Sequence, residues 1–337
     1  MRYGLECQGD PFFNDRIGFP VQSSVLDEQV LLNRVVCRYN IPEPVSCRFL
    51  TRGDSDIYRV TAGDARYYLK VYRPPVNLEC VEGEAQFVHD LAERGFPAVR
   101  PVRLDDGCFA TQVKASEGNR PMLLFEEAPS GKIQIDNLDT IVEFGTIIAK
   151  LHDVADSLED TYILNESYIG AADNPMLQYL ADFITDTDFS YIEGLNARVM
   201  GRLSALPQTT PDFGLCHADL VISNVRVDTN GVIILFDFGN AAYTWRSFEL
   251  AIIKWSLGHR TDDPEEYWKA FLSGYSQIRK LPAGIPAHLN YFHILRQINF
   301  LAGNAASLPL RLGTEVFEGD FMSKGVQYLR NLEAELM

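Results

Sequence analysis

Apolar residues recur at helical spacing from Ser24 onward, at Val25, Leu26, Val30, Leu31, Val35 and Val36. Ser24 with Asp27 three positions on has the form of a capping box, so a helix is predicted over 24–40, closed off before Pro42. Shorter runs follow that read as strands, at 45–50, 56–60 and 67–72. In the third, Tyr-Tyr-Leu-Lys-Val-Tyr, alternation turns Lys70 to the opposite face from Leu69 and Val71. A helix over 78–94 comes next, then strands at 98–104, 108–113 and 122–126, which complete a small sheet. The pattern breaks at Pro129-Ser-Gly131. Beyond it the period is helical, over 138–152, 175–185 and 190–206 and again over 245–257, 264–276, 286–302 and 315–336.

One stretch among these helices alternates differently. From Leu215 to Gly239 a strand, a turn and a second strand join two short polar loops, His217-Ala-Asp219-Leu-Val-Ile-Ser-Asn224 and Asp237-Phe238-Gly239. The turn Asp228-Thr-Asn-Gly231 predicts positive φ at its Asn-Gly pair, and the five apolar residues 232–236 read as a buried strand. A hairpin of this kind carries Asp237 back beside Asn224.

Composition narrows the possibilities. The chain has 337 residues, 46% hydrophobic, enough for a substantial core and two lobes. Its formal net charge of −16 excludes the cationic surface on which non-specific nucleic-acid binding depends. No run reaches the eighteen or so apolar residues of a membrane span, and MRYGLECQGDPFFND holds no apolar stretch of signal-peptide length, so a cytoplasmic protein is expected with no membrane partner. Residues 1–23 suggest no role. The six cysteines, at 7, 37, 47, 80, 108 and 216, form no C-x-x-C pair and read as reduced structural thiols, Cys216 included.

The chemistry that two carboxylates and an amide on adjacent loops can support is phosphoryl transfer. That reaction needs a carboxylate to take the proton of the attacking hydroxyl, and Mg²⁺ to neutralise charge developing on the phosphate oxygens. Asp219 suits the first role; Asn224 and Asp237 suit the second. The order His-x-Asp, then Asn five residues on, then Asp-Phe-Gly thirteen further, is the signature set of protein-kinase-like folds. Over roughly residues 45–300 the chain resembles the aminoglycoside phosphotransferase branch of that superfamily, which also holds choline kinases, type II homoserine kinases and stress response kinase A.

The resemblance implies an α+β, two-lobed kinase-like fold, with a small N-terminal antiparallel sheet (1–126, nucleotide-binding) over a larger, mostly helical lobe (127–337, catalytic and acceptor-binding). ATP and Mg²⁺ are the implied cofactors. Lys70 is either an edge-protecting charge or a phosphate ligand; Glu84 on the next helix, lined up to pair with it, favours the ligand, with Glu82 as the alternative partner. The turn Thr51-Arg52-Gly53-Asp54-Ser55 stands where a phosphate-covering loop would sit, with Gly53 and Ser55 its candidates, though an ordinary hairpin turn fits equally. Residues 125–128 form the implied hinge, where the backbone at Glu126 and Ala128 would read the adenine edge. His217 and His152 are implied to be architectural. Two departures from the family stand out: Glu249 replaces the usual Asp of Asp-Leu-Ala, and Gly239 stands where many aminoglycoside kinases carry another acid.

The implied acceptor is a small-molecule hydroxyl or amine, since no Ala-Pro-Glu-like segment follows Asp237-Phe-Gly to form a peptide platform. Acidic residues between 151 and 200, with Asp262, Asp263, Glu265 and Glu266 among Tyr267, Trp268 and Tyr275, point to a cationic one. Three alternatives remain at this level: a Ser/Thr protein kinase of the stress response type, a nucleotide-binding pseudokinase scaffold suggested by Val221-Ile222-Ser223, and a metal-dependent hydrolase using His217, Asp219 and Asp237.

Overall fold

Leu31, Val35 and Val36 are buried as their spacing requires, but the helix that presents the first of them, α1 (Glu28–Arg34), is shorter than the pattern predicts. The computed structural model, which describes residues 21–158, 162–164, 174–261, 263–282, 285–317 and 319–336, places the cap at Asp27, whose carboxylate accepts the Val30 N–H at 2.8 Å. Ser24 instead gives its hydroxyl to Glu117 at 2.9 Å, far along the chain. A 3-10 turn, Val36–Arg38, continues the path.

The sheet comprises β1 (Pro44–Arg52), β2 (Asp56–Ala62) and β3 (Ala65–Val71), then, after α2 (Leu78–Glu93), β4 (Ala110–Ala115) and β5 (Gly118–Glu126). Its order is β1-β2-β3-β5-β4, every pair antiparallel. Val60, Leu69, Val71, Met122 and Leu124 bury one face against Leu31, Val36 and Tyr39. Each such side chain contributes about 1.5–3 kcal/mol on leaving water. Lys70 points to the other face, toward α2, as alternation predicts.

Residues 98–104 do not form the expected strand. They make three isolated bridges, Ala98 to Leu235, Pro101 to Phe125 and Leu104 to Tyr39. Pro97 and Pro101 lack the N–H groups a continuous ladder needs. The first bridge is the consequential one, because the Val99 N–H donates to the Leu235 carbonyl and the Leu235 N–H to the Pro97 carbonyl, both at 3.0 Å.

The helical lobe begins with β6 (Gly131–Lys132) and α3 (Leu138–Asp156), followed by α4 (Asp186–Leu203), β7 (Phe213–Cys216), β8 (Val225–Val227), β9 (Ile233–Leu235) and β10 (Ala242–Trp245). Four helices complete it: α5 (Arg246–Gly258), α6 (Pro264–Ile278), α7 (Ile285–Leu312) and α8 (Phe321–Ala334). Over 175–185 a 3-10 turn, Leu177–Asp182, replaces the expected helix. Helices α3 and α6 meet through glycine: a Cβ on Gly274 would lie 1.8 Å from the Val142 carbonyl oxygen, and one on Gly145 2.0 Å from that of Phe271. That close approach brings Tyr275 against His152 at the catalytic side of α3. Among the described residues no helix is long and apolar enough to cross a membrane.

Candidate functional site

β7 delivers the first polar loop and β9 the second. Arg246, fully buried, fixes β7 by donating to Asp156 at 2.6 Å, to the Leu215 carbonyl and to Cys216 Sγ at 3.4 Å. At Ala218 the backbone enters the left-handed region, φ +61°, and at Asp237 it does so again, φ +66°. Among the described residues these are the non-glycine positions with positive φ, at a cost of about 1–3 kcal/mol each. Both lie in the two candidate loops.

Glu249 supports the first loop. Its Oε2 accepts the Ala218 N–H at 2.6 Å and its Oε1 lies 2.8 Å from His152 Nε2, while His152 Nδ1 meets the Tyr275 hydroxyl at 2.8 Å. The longer side chain therefore reaches both the loop backbone and α3. Burial pushes the Glu249 carboxyl up to about 7, against the pull of the Ala218 N–H and Arg246, and burial with Arg246 and Arg279 nearby holds His152 well below the usual histidine range. His152, Cys216 and Glu249 cluster closely enough to suggest a metal site, but the histidine and glutamate already bond each other and burial pushes the Cys216 thiol up. His217 bonds the loop backbone, its Nε2 on the Phe236 carbonyl at 3.0 Å, its Nδ1 facing the Asp219 N–H at 3.3 Å and its ring 4.3 Å from that of Phe238.

This pair makes a testable prediction. A glutamine at 249 can accept with one oxygen where the carboxylate uses two, so Glu249→Gln should lower stability by about 1–3 kcal/mol through one unsatisfied buried N–H. The pH dependence should also change. Glu249, raised in the fold, contributes stability that is full below its unfolded pKa and lost as pH rises through about 7. His152, lowered in the fold, contributes stability that is present above about pH 6.5 and lost as pH falls. Across pH 5–7 the two slopes oppose. Removing the carboxylate leaves the histidine's slope alone, so denaturant unfolding of the variant should show stability rising with pH by up to about 1.4 kcal/mol per unit. A profile parallel to wild type would refute the coupling.

The hairpin differs from expectation in detail. Positive φ occurs at Gly231 but not at Asn230, because the Asp228 carboxylate shapes the turn by accepting from the N–H groups of Asn230 and Val232, each at 2.8 Å. Ile233 and Leu235 are buried while Val232 is exposed, so of the five apolar residues only the three of β9 form the strand, and it is half-buried. The Phe236 N–H donates to the Asn224 carbonyl at 3.2 Å, which brings Asp237 beside Asn224 as the hairpin requires. Within Val221-Ile222-Ser223, Ile222 is buried and gives its N–H to Ser256 Oγ at 3.0 Å.

Lys70 stands between two carboxylates, 3.5 Å from Glu84 Oε1 and 2.7 Å from Asp237 Oδ1. Burial alone would weaken its hold on a proton, but Asp237 and Glu84 outweigh it and keep the ammonium well above the usual lysine range. Lys70 in turn holds the Asp237 carboxyl below its ordinary value. Burial raises the Glu84 carboxyl, opposed by Lys70 and by the Tyr72 hydroxyl at 2.7 Å. Glu82 is occupied elsewhere, accepting the N–H groups of Phe109 and Ala110. At Gly239 a Cβ would come within 2.5 Å of Lys70 Nζ, so the missing side chain leaves room for the ammonium.

The remaining predicted residues lie around this centre. Ile57 pairs with Lys70 in the sheet register, which sets the β1–β2 turn just beyond Lys70; the Gly53 N–H closes it onto the Ser55 carbonyl at 2.9 Å, and Ser55 is buried. Arg52 and Asp56 clamp its base at 3.1 Å. In the 125–128 segment the Glu126 N–H is given to the Arg100 carbonyl at 3.0 Å, so it is not available to a base; Ala128 is half-buried beyond it.

Asp219 carries a partner the sequence reading missed. Arg296 of α7 places Nη2 3.1 Å from its Oδ1, and Asn240 Nδ2 lies 3.5 Å from its Oδ2. Asn224 Nδ2 donates to the Asp219 carbonyl at 2.9 Å. The available signal was an arginine set among the apolar residues Ile294, Leu295, Ile298 and Leu301 of α7. A cavity of about 760 Å³ opens beside Asp219 and Arg296. Among the described residues, none of the acidic side chains expected to wall an acceptor pocket lines this cavity; Glu159, Asp160, Glu166 and Asp173 lie outside the described residues. Asp263 caps α6, Glu265 pairs with Lys254 at 3.1 Å, and Asp182 and Asp188 line a separate hollow of about 1200 Å³ that contains none of the predicted site residues. Trp268 and Tyr275 are core residues, and Asp262 lies outside the described residues.

A model of the phosphotransferase enzyme family matches residues 46–283. An uncharacterised protein of Deinococcus radiodurans is 30% identical over 327 residues, 94% of this chain and 92% of that one. Among solved structures, an amicoumacin kinase in complex with AMP-PNP, Ca²⁺ and Ami superposes with a TM-score of 0.77 at 20% identity, covering 91% of this chain and 94% of its own. A microcompartment-associated aminopropanol kinase gives 0.71 at 19% identity, covering 90% and 95%.

Proposed function

Because the chain belongs to the phosphotransferase enzyme family, we propose that it is an ATP- and Mg²⁺-dependent kinase that moves the γ-phosphoryl group to a hydroxyl, or an amine, of a small molecule. The observation that carries this reading is the ion-paired cluster in which Lys70 of the sheet lobe meets both Glu84 and Asp237. In this reading residues 1–126 bind the nucleotide and residues 127–337 supply the catalytic and acceptor-binding groups. Lys70, steadied by Glu84, would turn its ammonium to the α and β phosphates; the Gly53–Ser55 turn would cover them; the Glu126 carbonyl and Ala128 would face the adenine edge.

The donor set suits a hard cation. Asn224 spends its Nδ2 on the Asp219 carbonyl and so keeps its amide oxygen for another ligand, and Asp237 is held ionised. Mg²⁺ bound by Asn224 and Asp237 would neutralise charge on the phosphate oxygens. Asp219 would take the acceptor O–H proton as the new O–P bond forms and the bond from the γ-phosphorus to its bridging oxygen breaks, leaving ADP. An amine on the acceptor is supported by the aminopropanol named for one neighbour rather than by an acidic wall. The test is ADP formation with a panel of amino alcohols and other hydroxyl compounds. It should require Mg²⁺ and an acceptor; no Mg²⁺-dependent turnover with any compound would end the reading.

A further inference from the structure

We propose that the acceptor carries an anionic group, a carboxylate or a phosphate, and that Arg296 and Arg260 receive it in the cavity beside Asp219; this rests on the phosphotransferase reading above. The cavity, about 760 Å³, is of metabolite size and is lined by Trp255, Phe300 and Tyr328 as well as by the two arginines and Asp219. Its charges do not cancel. Asp320 is taken by Lys324 at 2.6 Å and Asp219 by Arg296 at 3.1 Å, which leaves Arg260 with no acidic partner among the described residues. A cationic excess here runs against the chain's net charge of −16.

Arg296 is also built to hold more than Asp219. Its guanidinium lies 4.9 Å from the Trp255 ring centroid, and its Nε is shut off from solvent without an acceptor. A buried N–H in that condition marks a place where an acceptor belongs. The planar fork of an arginine matches the paired oxygens of a carboxylate or phosphate. An anion engaged there draws Arg296 away from Asp219 Oδ1, so that the carboxylate is freed for the hydroxyl of the same molecule. Recognition of the acceptor and release of the base are then one event.

The test uses the full chain with AMP-PNP and Mg²⁺, and calorimetric titration of matched probes: 3-hydroxybutyrate against butan-2-ol, and glycerol 3-phosphate against propane-1,2-diol. The anionic member of at least one pair should bind ten-fold or more tightly than its neutral counterpart, and the responding pair tells carboxylate from phosphate. In Arg260→Ala and Arg296→Gln that preference should fall by about ten-fold, the size of a lost charge-assisted hydrogen bond. Equal binding within both wild-type pairs, or binding by neither anion, overturns the proposal without recourse to any variant. Phosphoryl transfer to neutral alcohols alone would leave the kinase reading standing without the anion site. Arginine-dependent anion binding with no ATP turnover would do the reverse.

Discussion

Replacing Asp219 by asparagine is expected to slow phosphoryl transfer by about 10²–10⁴-fold, the contribution of a positioned general base. That corresponds to roughly 3–5 kcal/mol of the activation barrier. Nucleotide affinity should stay nearly intact, for a reason visible in the loop: Asn224 donates to the main-chain carbonyl of Asp219, not to its side chain, so the change leaves Asn224, Asp237 and Lys70 where they are. Single-turnover rates and AMP-PNP binding measured side by side separate the two effects. A rate within about three-fold of wild type, or a parallel loss of nucleotide binding, would remove Asp219 from the base role.

The second large effect is expected at Lys70. Losing a preorganised group aimed at transferring charge costs on the order of 10²–10³-fold in rate. Lys70→Ala also strips the cation from two carboxylates, one of them buried, and breaking such a pair from one side destabilises by about 3–5 kcal/mol, so activity must be normalised to folded protein. Glu84→Ala should be slower too, because the ammonium keeps Asp237 but loses the contact that steers it. If Glu84 acts only through Lys70, the double variant should be no slower than Lys70→Ala, a coupling of about 0.5–3 kcal/mol in the cycle. Rate losses that simply multiply would mean that the two residues act separately.

How much of this could be read in advance depended on the range of the interaction. Strand alternation was enough to set Lys70 against the face opposite Leu69 and Val71, because period two is a local property of the backbone. The loops at 217–224 and 237–239 were legible because spacing along a hairpin converts directly into proximity. Ser24 lies in a cap-like sequence but bonds Glu117, in the β4–β5 turn, and the 98–104 run has strand-like apolar content but prolines at 97 and 101 that deny it a continuous ladder. Arg296 had no local signature: its meeting with Asp219 depends on how α7 packs, as does the placement of the acidic residues outside the cavity beside Asp219.

The paired hydrogen bonds between Leu235 and the 97–99 segment bear on how the two lobes can move. The chain crosses between them at residues 125–128, and a single covalent crossing would allow rotation in any direction. Leu235 is a second attachment, and it stands two residues before Asp237. α2 is a third: Phe87, Val88, Leu91 and, just past its end, Phe96 pack into the buried core of the helical lobe, and the Phe87 and Phe238 rings lie 5.9 Å apart. Glu84, on that helix, and Asp237, two residues past Leu235, are thereby held together across the lobe boundary, and Lys70 meets both within one packed unit.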